Sequence, residues 1–340
     1  MRVVNQSAQI MVPESPMKHI EKIGRVCYKS EDKIDDGTDR KFVKILYDHK
    51  HHAMLEHYRF ILEIIPTYFH ELIEAEPRHI EFTAREIGVN MEEQYCRIKS
   101  IRDEPIRHIV CKHDRFLISF NARALMELPD RCRNIKSEEQ YCRIKSIRDE
   151  LIRHIVRKYD CHELFGVSRD DHTLLSAPVN FIENNPKAMF AEEWRIHGWA
   201  SVHMITDRGI THEIVRHREE TSFAQESTRY CNYSKDKFGN EITVIDQGFD
   251  DGEKLFWQWA CTKAEECYFK LLDRDITPQM ARSVLPTCLK TEIVMTAPMF
   301  EWEHFFNLRM DGVAGTPHPL IKELSKMAFK SIREEFYGYC

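Results

Sequence analysis

Residues 216–230, Arg-His-Arg-Glu-Glu-Thr-Ser-Phe-Ala-Gln-Glu-Ser-Thr-Arg-Tyr, gather three arginines, a histidine and four hydroxyl residues into one short stretch. Arg216, Arg218 and Arg229 offer planar, permanently charged forks, and Thr221, Ser222, Ser227 and Thr228 offer short donors. That combination suits a phosphate and a planar anionic ring. A solvated basic helix face is the blander alternative. Glu219, Glu220 and Glu226 are interleaved with the arginines, so the stretch is no simple basic patch and is expected to form an anion pocket on a turn and helix.

Other chemistry-bearing residues are less specific. His212-Glu213 followed by His217 resembles a zincin helix, but histidines five apart sit about 140° from each other on a helix and cannot share one metal from one face. His49, His51, His52 and His57, with Glu56, could supply nitrogen ligands, yet no second carboxylate cluster stands at ligand spacing. No metal site is therefore assigned. Ser227 lacks a nucleophile elbow, and the chain has neither a dinucleotide-binding glycine fingerprint nor a P-loop. A phosphate must be held by side chains and helix ends.

With 42% hydrophobic and 31% charged residues over 340 positions, the chain can bury a large core or two. Its net charge of -6 gives no electrostatic case for nucleic acid or an anionic membrane. No apolar run approaches the roughly 20 residues of a membrane helix. Eleven cysteines without a Cys-x-x-Cys, in a sequence beginning Met-Arg-Val-Val, lead us to expect reduced thiols in a cytoplasm.

The elements that must position the pocket alternate unevenly. Residues 1–65 read as a mixed αβ opening, with helices around Met17–Cys27 and Arg40–His49 and a strand at Tyr58–Ile64. Residues 66–194 are expected to be mostly helical, and Glu92–Asp114 recurs almost unchanged at Glu138–Asp160. The second copy carries Tyr141, Ile144, Ile147, Leu151, Ile155 and Tyr159 on one helical stripe, whereas Pro105 replaces Leu151 in the first and should break it. No site is assigned to either copy. From 195 onward we expect a strand at Trp199–Ile205, a turn at Asp207–Gly209, a helix from Ile210 to about Arg218, a long helix from Gly252, a strand at Leu289–Thr296, and helices at Trp302–Met310 and Pro319–Tyr337.

Arg216-His217-Arg218, eight residues and then Ser227-Thr228-Arg229-Tyr230 resemble the signature of flavin-dependent thymidylate synthases. Two further blocks agree in order: His51 to His57 before a strand, and Ala281 to Pro286 followed by Phe305-Phe306-Asn307-Leu308-Arg309. The resemblance covers roughly 1–65 and 195–337. It implies an α+β class, a mixed αβ catalytic core of residues 1–65 and 195–340 interrupted by the helical insertion 66–194, and a homotetramer with sites at subunit contacts. It implies reductive methylation of dUMP to dTMP, with carbon from methylenetetrahydrofolate and hydride from NADPH through FAD.

Carried over residue by residue, the resemblance places His51, Arg216, His217, Arg218, Gln225 and His304 at the flavin. Glu213, Arg216, Gln225, Glu226, Ser227, Thr228, Arg229, Arg282 and Arg309 fall at dUMP, with Arg309 the catalytic charge for the uracil ring. The chain departs from the family where Pro298-Met299-Phe300 replaces an Asn-x-Arg triplet; Asn121-Ala122-Arg123 has that chemistry and is expected to substitute. Two rival readings stand beside this one: a His-rich metallohydrolase built on His49 to His57, and a non-catalytic nucleotide-binding protein.

Overall fold

The computed structural model describes residues 1–75, 77–78, 80–85, 115–168, 175, 177–229, 231–235 and 238–338. The first half runs β1 (Arg2–Val4), β2 (Ser7–Ile10), α1 (Pro16–Tyr28), α2 (Thr38–Asp48), a 3-10 turn at His52–His57, β3 (Arg59–Ile64), α3 (Pro66–Ala75), β4 (Ile80–Arg85), β5 (Arg115–Asn121), α4 (Ala122–Met126), α5 (Glu138–Tyr159) and α6 (His162–Phe165). The second half runs β6 (Asn180–Phe181), α7 (Ala191–His197), β7 (Trp199–Asp207), α8 (Arg208–Ile214), β8 (Ser222–Gln225), β9 (Thr243–Ile245), α9 (Asp251–Leu272), α10 (Pro278–Ala281), β10 (Lys290–Pro298), α11 (Met299–Phe306) and α12 (Pro319–Tyr337). This is the expected mixture of helices and sheets.

Helix ends follow their local sequence. Ser15 caps α1 by accepting from the Lys18 amide, with Pro16 at the first turn, where a missing N–H costs nothing. The duplicated segment's second copy is α5, capped by Ser137 and closed by Asp160 in the left-handed region, with Ile144, Ile147, Leu151 and Ile155 buried on one face. Its first copy, including the expected break at Pro105, lies outside the described residues.

Two antiparallel four-stranded sheets form the frame, in the orders β2-β7-β10-β8 and β4-β5-β3-β6. The expected boundary at residue 65 falls at the end of β3, yet β5 and β6, which pair with β3 on its two edges, both come from the segment expected as an insertion. A strand buried on both faces needs partners for its backbone groups, and here they come from later in the chain. Residues 66–194 thus carry strands as well as helices, and share one core with Phe60, Leu62 and α2.

The two sheets repeat one connectivity. In each, a strand leads through a short helix to an edge strand, and a later strand lies between the two: β3-α3-β4 around β5, and β7-α8-β8 around β10. Leu62, Ile118 and Phe82 are in register across one, as Met204, Ile293 and Gln225 are across the other. Both short helices carry His-Glu followed by aliphatics, His70-Glu71-Leu72 and His212-Glu213-Ile214. In both the glutamate pairs with an arginine: Glu71 with Arg143 at 3.0 Å, Glu213 with Arg309 at 2.9 Å.

Between the sheets runs a buried polar relay. His57 Nδ1 lies 2.7 Å from the Thr296 hydroxyl, which is 2.6 Å from the Ser201 hydroxyl, which in turn is 2.9 Å from His19 Nε2. Burial holds His19 down to about 3, with help from the neighbouring His57 and Lys22, and holds His57 down to about 4. Both rings are neutral in the folded protein, while an unfolded chain protonates them near 6.5. Their contribution is complete above about pH 6.5 and is lost as the pH falls toward the folded values, by about 2 kcal/mol per ring at pH 5. The urea unfolding midpoint is therefore predicted to drop between pH 7.5 and pH 5; a flat profile would contradict neutral buried imidazoles.

Candidate active site

The Arg-His-Arg segment lies just beyond α8. Asp207 caps this helix, its carboxylate accepting from the Ile210 amide at 2.7 Å, so the expected turn at Asp207–Gly209 is instead a direct passage from strand into helix. The helix also ends at Ile214 rather than near Arg218. The chain must leave it early because Ser222–Gln225, expected to be helical or turn, forms β8 and pairs along Thr296–Ile293 of β10. Alternation explains the correction: Ser222 and Ala224 are buried, Phe223 and Gln225 are half-buried, as in a strand with one face covered.

Arg309 is the centre of the first cluster. Its Nε donates to His217 Nε2 at 3.1 Å, its Nη1 to the Glu213 carboxylate at 2.9 Å, and its Nη2 to the Glu213 backbone carbonyl at 3.3 Å. A planar guanidinium held at three points has little freedom left. It sits in a π-helical turn, Asn307–Asp311, that continues α11, itself beginning at Met299 rather than at the expected Trp302. Burial, then the charge of Arg309, then His304, lower the His217 imidazole to about 4, which leaves Nε2 free to accept. The ring of His304 lies 5.7 Å from that of His217.

A second cluster lies along β8 and β10. The Gln225 amide donates to the hydroxyls of Thr211 at 3.0 Å and Thr291 at 3.4 Å. Arg282 donates to the Thr228 hydroxyl at 2.9 Å, and Arg229 to Gln279 at 3.3 Å. Glu226 is buried against Lys290 at 3.3 Å, while Ser227 is tied through its backbone to Cys27. Arg216 and Arg218 are exposed, and among the described residues neither guanidinium has a side-chain partner. Counted along the sequence from the shared His-Glu pair, the first unit has Glu74-Ala75-Glu76 where the second has Arg216-His217-Arg218, the reverse charge. An anion therefore has reason to choose the second unit alone.

Three sets of residues singled out in the sequence lie apart from this cluster. His51 contacts the Tyr28 hydroxyl at 3.1 Å, with no contact among the described residues to Arg309 or His217. Asn121 and Arg123 are committed elsewhere: the Asn121 carbonyl caps α4 by accepting from the Ala124 amide, and Arg123 pairs with Glu56 and Glu127, each at 2.7 Å. The histidines proposed as a metal centre turn apart, His49 to the Ile45 carbonyl, His51 to Tyr28 and His57 into the buried relay. Among the described residues no group of three His, Cys, Asp or Glu could hold a metal ion.

The structure also adds residues. Burial pushes the Glu292 carboxyl upward, but the hydrogen bond from His203 and the charges of Lys290 and Lys29 outweigh it and hold it well below the carboxylate range. This group backs Glu226 through Lys290. The signal available in the sequence was two charges, Lys290 and Glu292, inside an otherwise apolar strand pattern.

Residues 196–336 match the family model described as thymidylate synthase complementing protein. Through this segment the chain is similar to the thymidylate synthase complementing proteins. The flavin-dependent thymidylate synthase of Pyrococcus furiosus is 33% identical over 105 residues, 30% of this chain and 42% of that one. The enzyme of the same name from Geobacter sulfurreducens is 31% identical over 102 residues, 30% and 43% of the two chains. The match thus spans about 42% of the length of such relatives. The UMP/dUMP methylase PolB from Streptomyces cacaoi, bound with 5-Br dUMP, superposes with a TM-score of 0.34 at 22% identity, covering 41% of this chain and 66% of its own.

The matched family segment contains the Arg309 cluster in full. Replacing Arg309 by alanine is predicted to raise the His217 value from about 4 while leaving it below 6.5, since burial persists. An NMR titration of the imidazole checks this, and an unmoved His217 would detach it from Arg309.

Proposed function

We propose that the protein reductively methylates dUMP to dTMP, with methylenetetrahydrofolate as carbon donor and NADPH as reductant through FAD. The observation that carries this reading is the fixed Arg309 guanidinium beside a neutral His217, in line with hydroxyl and guanidinium groups at Gln225 to Arg229 and Arg282. The relatives' name, flavin-dependent thymidylate synthase, supplies the reaction class. The family is spanned only in part, so the activity is an inference for this chain.

In this reading the nucleotide phosphate takes Ser227, Thr228, Arg229 and Arg282, whose short donors and forked cations match its oxygens. Arg309 faces the uracil ring and stabilises negative charge there, because Glu213 and His217 already hold its orientation and no reorganisation is needed. Glu213, Gln225 and Glu226 complete the edge of the nucleotide site. Arg216, His217, Arg218, Gln225 and His304 form the flavin side. Two exposed guanidiniums without a side-chain partner among the described residues, flanking a neutral buried imidazole, fit an anionic cofactor. When bound, the flavin supplies the hydride transfer that no side chain here can perform. The residues themselves bind, orient and exclude water.

The exposed flavin side and the position of His51 away from Arg309 favour completion by another subunit. A homotetramer agrees with the surface of α9, where Leu255, Phe256 and Trp259 are 68%, 79% and 65% exposed on one face. Light scattering is expected to give four copies for the wild type and fewer for the pair Phe256→Asp and Trp259→Glu; an unchanged assembly would remove α9 from the interface.

The reaction itself is tested by tritium release from dUMP labelled at the uracil five position, with folate, NADPH and FAD supplied. Release supports synthesis, and dUMP binding without release would establish the non-catalytic reading. Arg309→Ala is expected to keep FAD bound yet lower release by at least about 100-fold. Retained release would exclude Arg309 from the chemistry.

A further inference from the structure

The segment that carries Arg216, His217 and Arg218 into β8 is held from outside its own sheet. Glu220, midway along it, has φ of 51°, a left-handed conformation that a non-glycine residue adopts at a cost of about 1 kcal/mol or more. Something must hold it there. Its carboxylate meets Arg59 Nη1 at 3.3 Å, and both side chains are almost wholly shut off from water, Arg59 at 2% and Glu220 at 7% exposure. Arg59 stands on β3, in the other sheet, and among the described residues its Nε and Nη2 have no hydrogen-bond partner. A buried guanidinium so placed depends on Glu220 for its counter-charge.

The far end of the segment is tied in the same way. Ser222, the first residue of β8, donates its hydroxyl to Glu56 Oε2 at 3.2 Å. The other Glu56 oxygen accepts from Arg123 Nη1 at 2.7 Å, and Arg123 is itself braced by Glu127 at 2.7 Å. Glu56 belongs to the turn before β3 and Arg123 to α4 after β5, so both anchors come from the unit that lacks an anion motif. One contact midway along the segment and one at its β8 end restrain the backbone that follows Arg218.

We propose that Arg59 and the Arg123–Glu56 pair are positioning residues for the Arg-His-Arg segment, set in place by the first sheet so that the second can bind its anionic ligands. This rests on the function proposed above for those ligands, but not for the positioning itself. The first unit thereby holds the binding loop of its counterpart. Arg123 also gains a role that needs no contact with a cofactor.

Removing Arg59 or Glu220 alone would strand its buried partner, so the test uses the double variant Arg59→Leu with Glu220→Gly, and Arg123→Ala. Glycine accepts the left-handed conformation without strain, and Arg123 is partly exposed, so both variants should fold. In each, hydrogen–deuterium exchange of the amides at 217–222 is expected to rise about tenfold or more, while the amides of α5 stay as protected as in the wild type. Arg123→Lys, which keeps a cation beside Glu56, should recover most of the protection. With substrates, KM for dUMP should rise about tenfold with a smaller change in kcat, as for a mispositioned binding loop. Unchanged exchange at 217–222 in both variants would overturn the proposal. A wild type that releases no tritium would instead remove the proposed reaction, with the exchange measurement still deciding the positioning.

Discussion

β10 is buried along nearly its full length and yet carries Thr291, Glu292 and Thr296. A buried polar group without a partner costs about 1–3 kcal/mol, and a buried charge more, so each of these must be answered by a neighbour. The answers lay out the site. Thr291 meets Gln225, Glu292 meets His203, Lys29 and Lys290, and Thr296 meets Ser201 and His57. Because β7 and β8 pair on either side of this strand, satisfying its polar groups also fixes where the Arg-His-Arg segment leaves α8 and where Gln225 to Arg229 begin.

Local rules made much of this readable from the residues alone. The stripe of α5 and the apolar runs of β3, β7 and β10 all follow from periodicity. Arg216 stood out because arginines beside acids and hydroxyls have little use in a core, whereas Glu213 and Arg309 came as site residues only through the family resemblance. What escaped was whatever depends on pairing across the chain. Ser222–Gln225 is too short to declare itself a strand until β10 lies beside it, and Arg123 looked like a ligand-binding group because nothing near it in sequence reveals Glu56. The connection of β3 to strands after residue 115 was hidden for the same reason.

The shared connectivity of the two sheets gives that difficulty a physical shape. Both units present a strand, a short His-Glu helix and an edge strand around a central partner, and both tie the helix glutamate to an arginine. Their chemistry then diverges at one place, Glu74-Ala75-Glu76 against Arg216-His217-Arg218. Strand connectivity is common to the two while the charge at these sequence positions is opposite, so affinity for anions is a property of the side chains grafted onto the frame. The frame alone would not reveal which half binds.

The relay of His57, Thr296, Ser201 and His19 carries a consequence for how such a protein can drift. Losing one member strands a buried neighbour and incurs the whole desolvation penalty, whereas replacing two facing members together by apolar groups of similar shape can be nearly neutral. Single steps at these four positions are therefore closed and paired steps open. Among descendants of this sequence the four should change in concert, travelling as one inherited unit although they are scattered from residue 19 to residue 296.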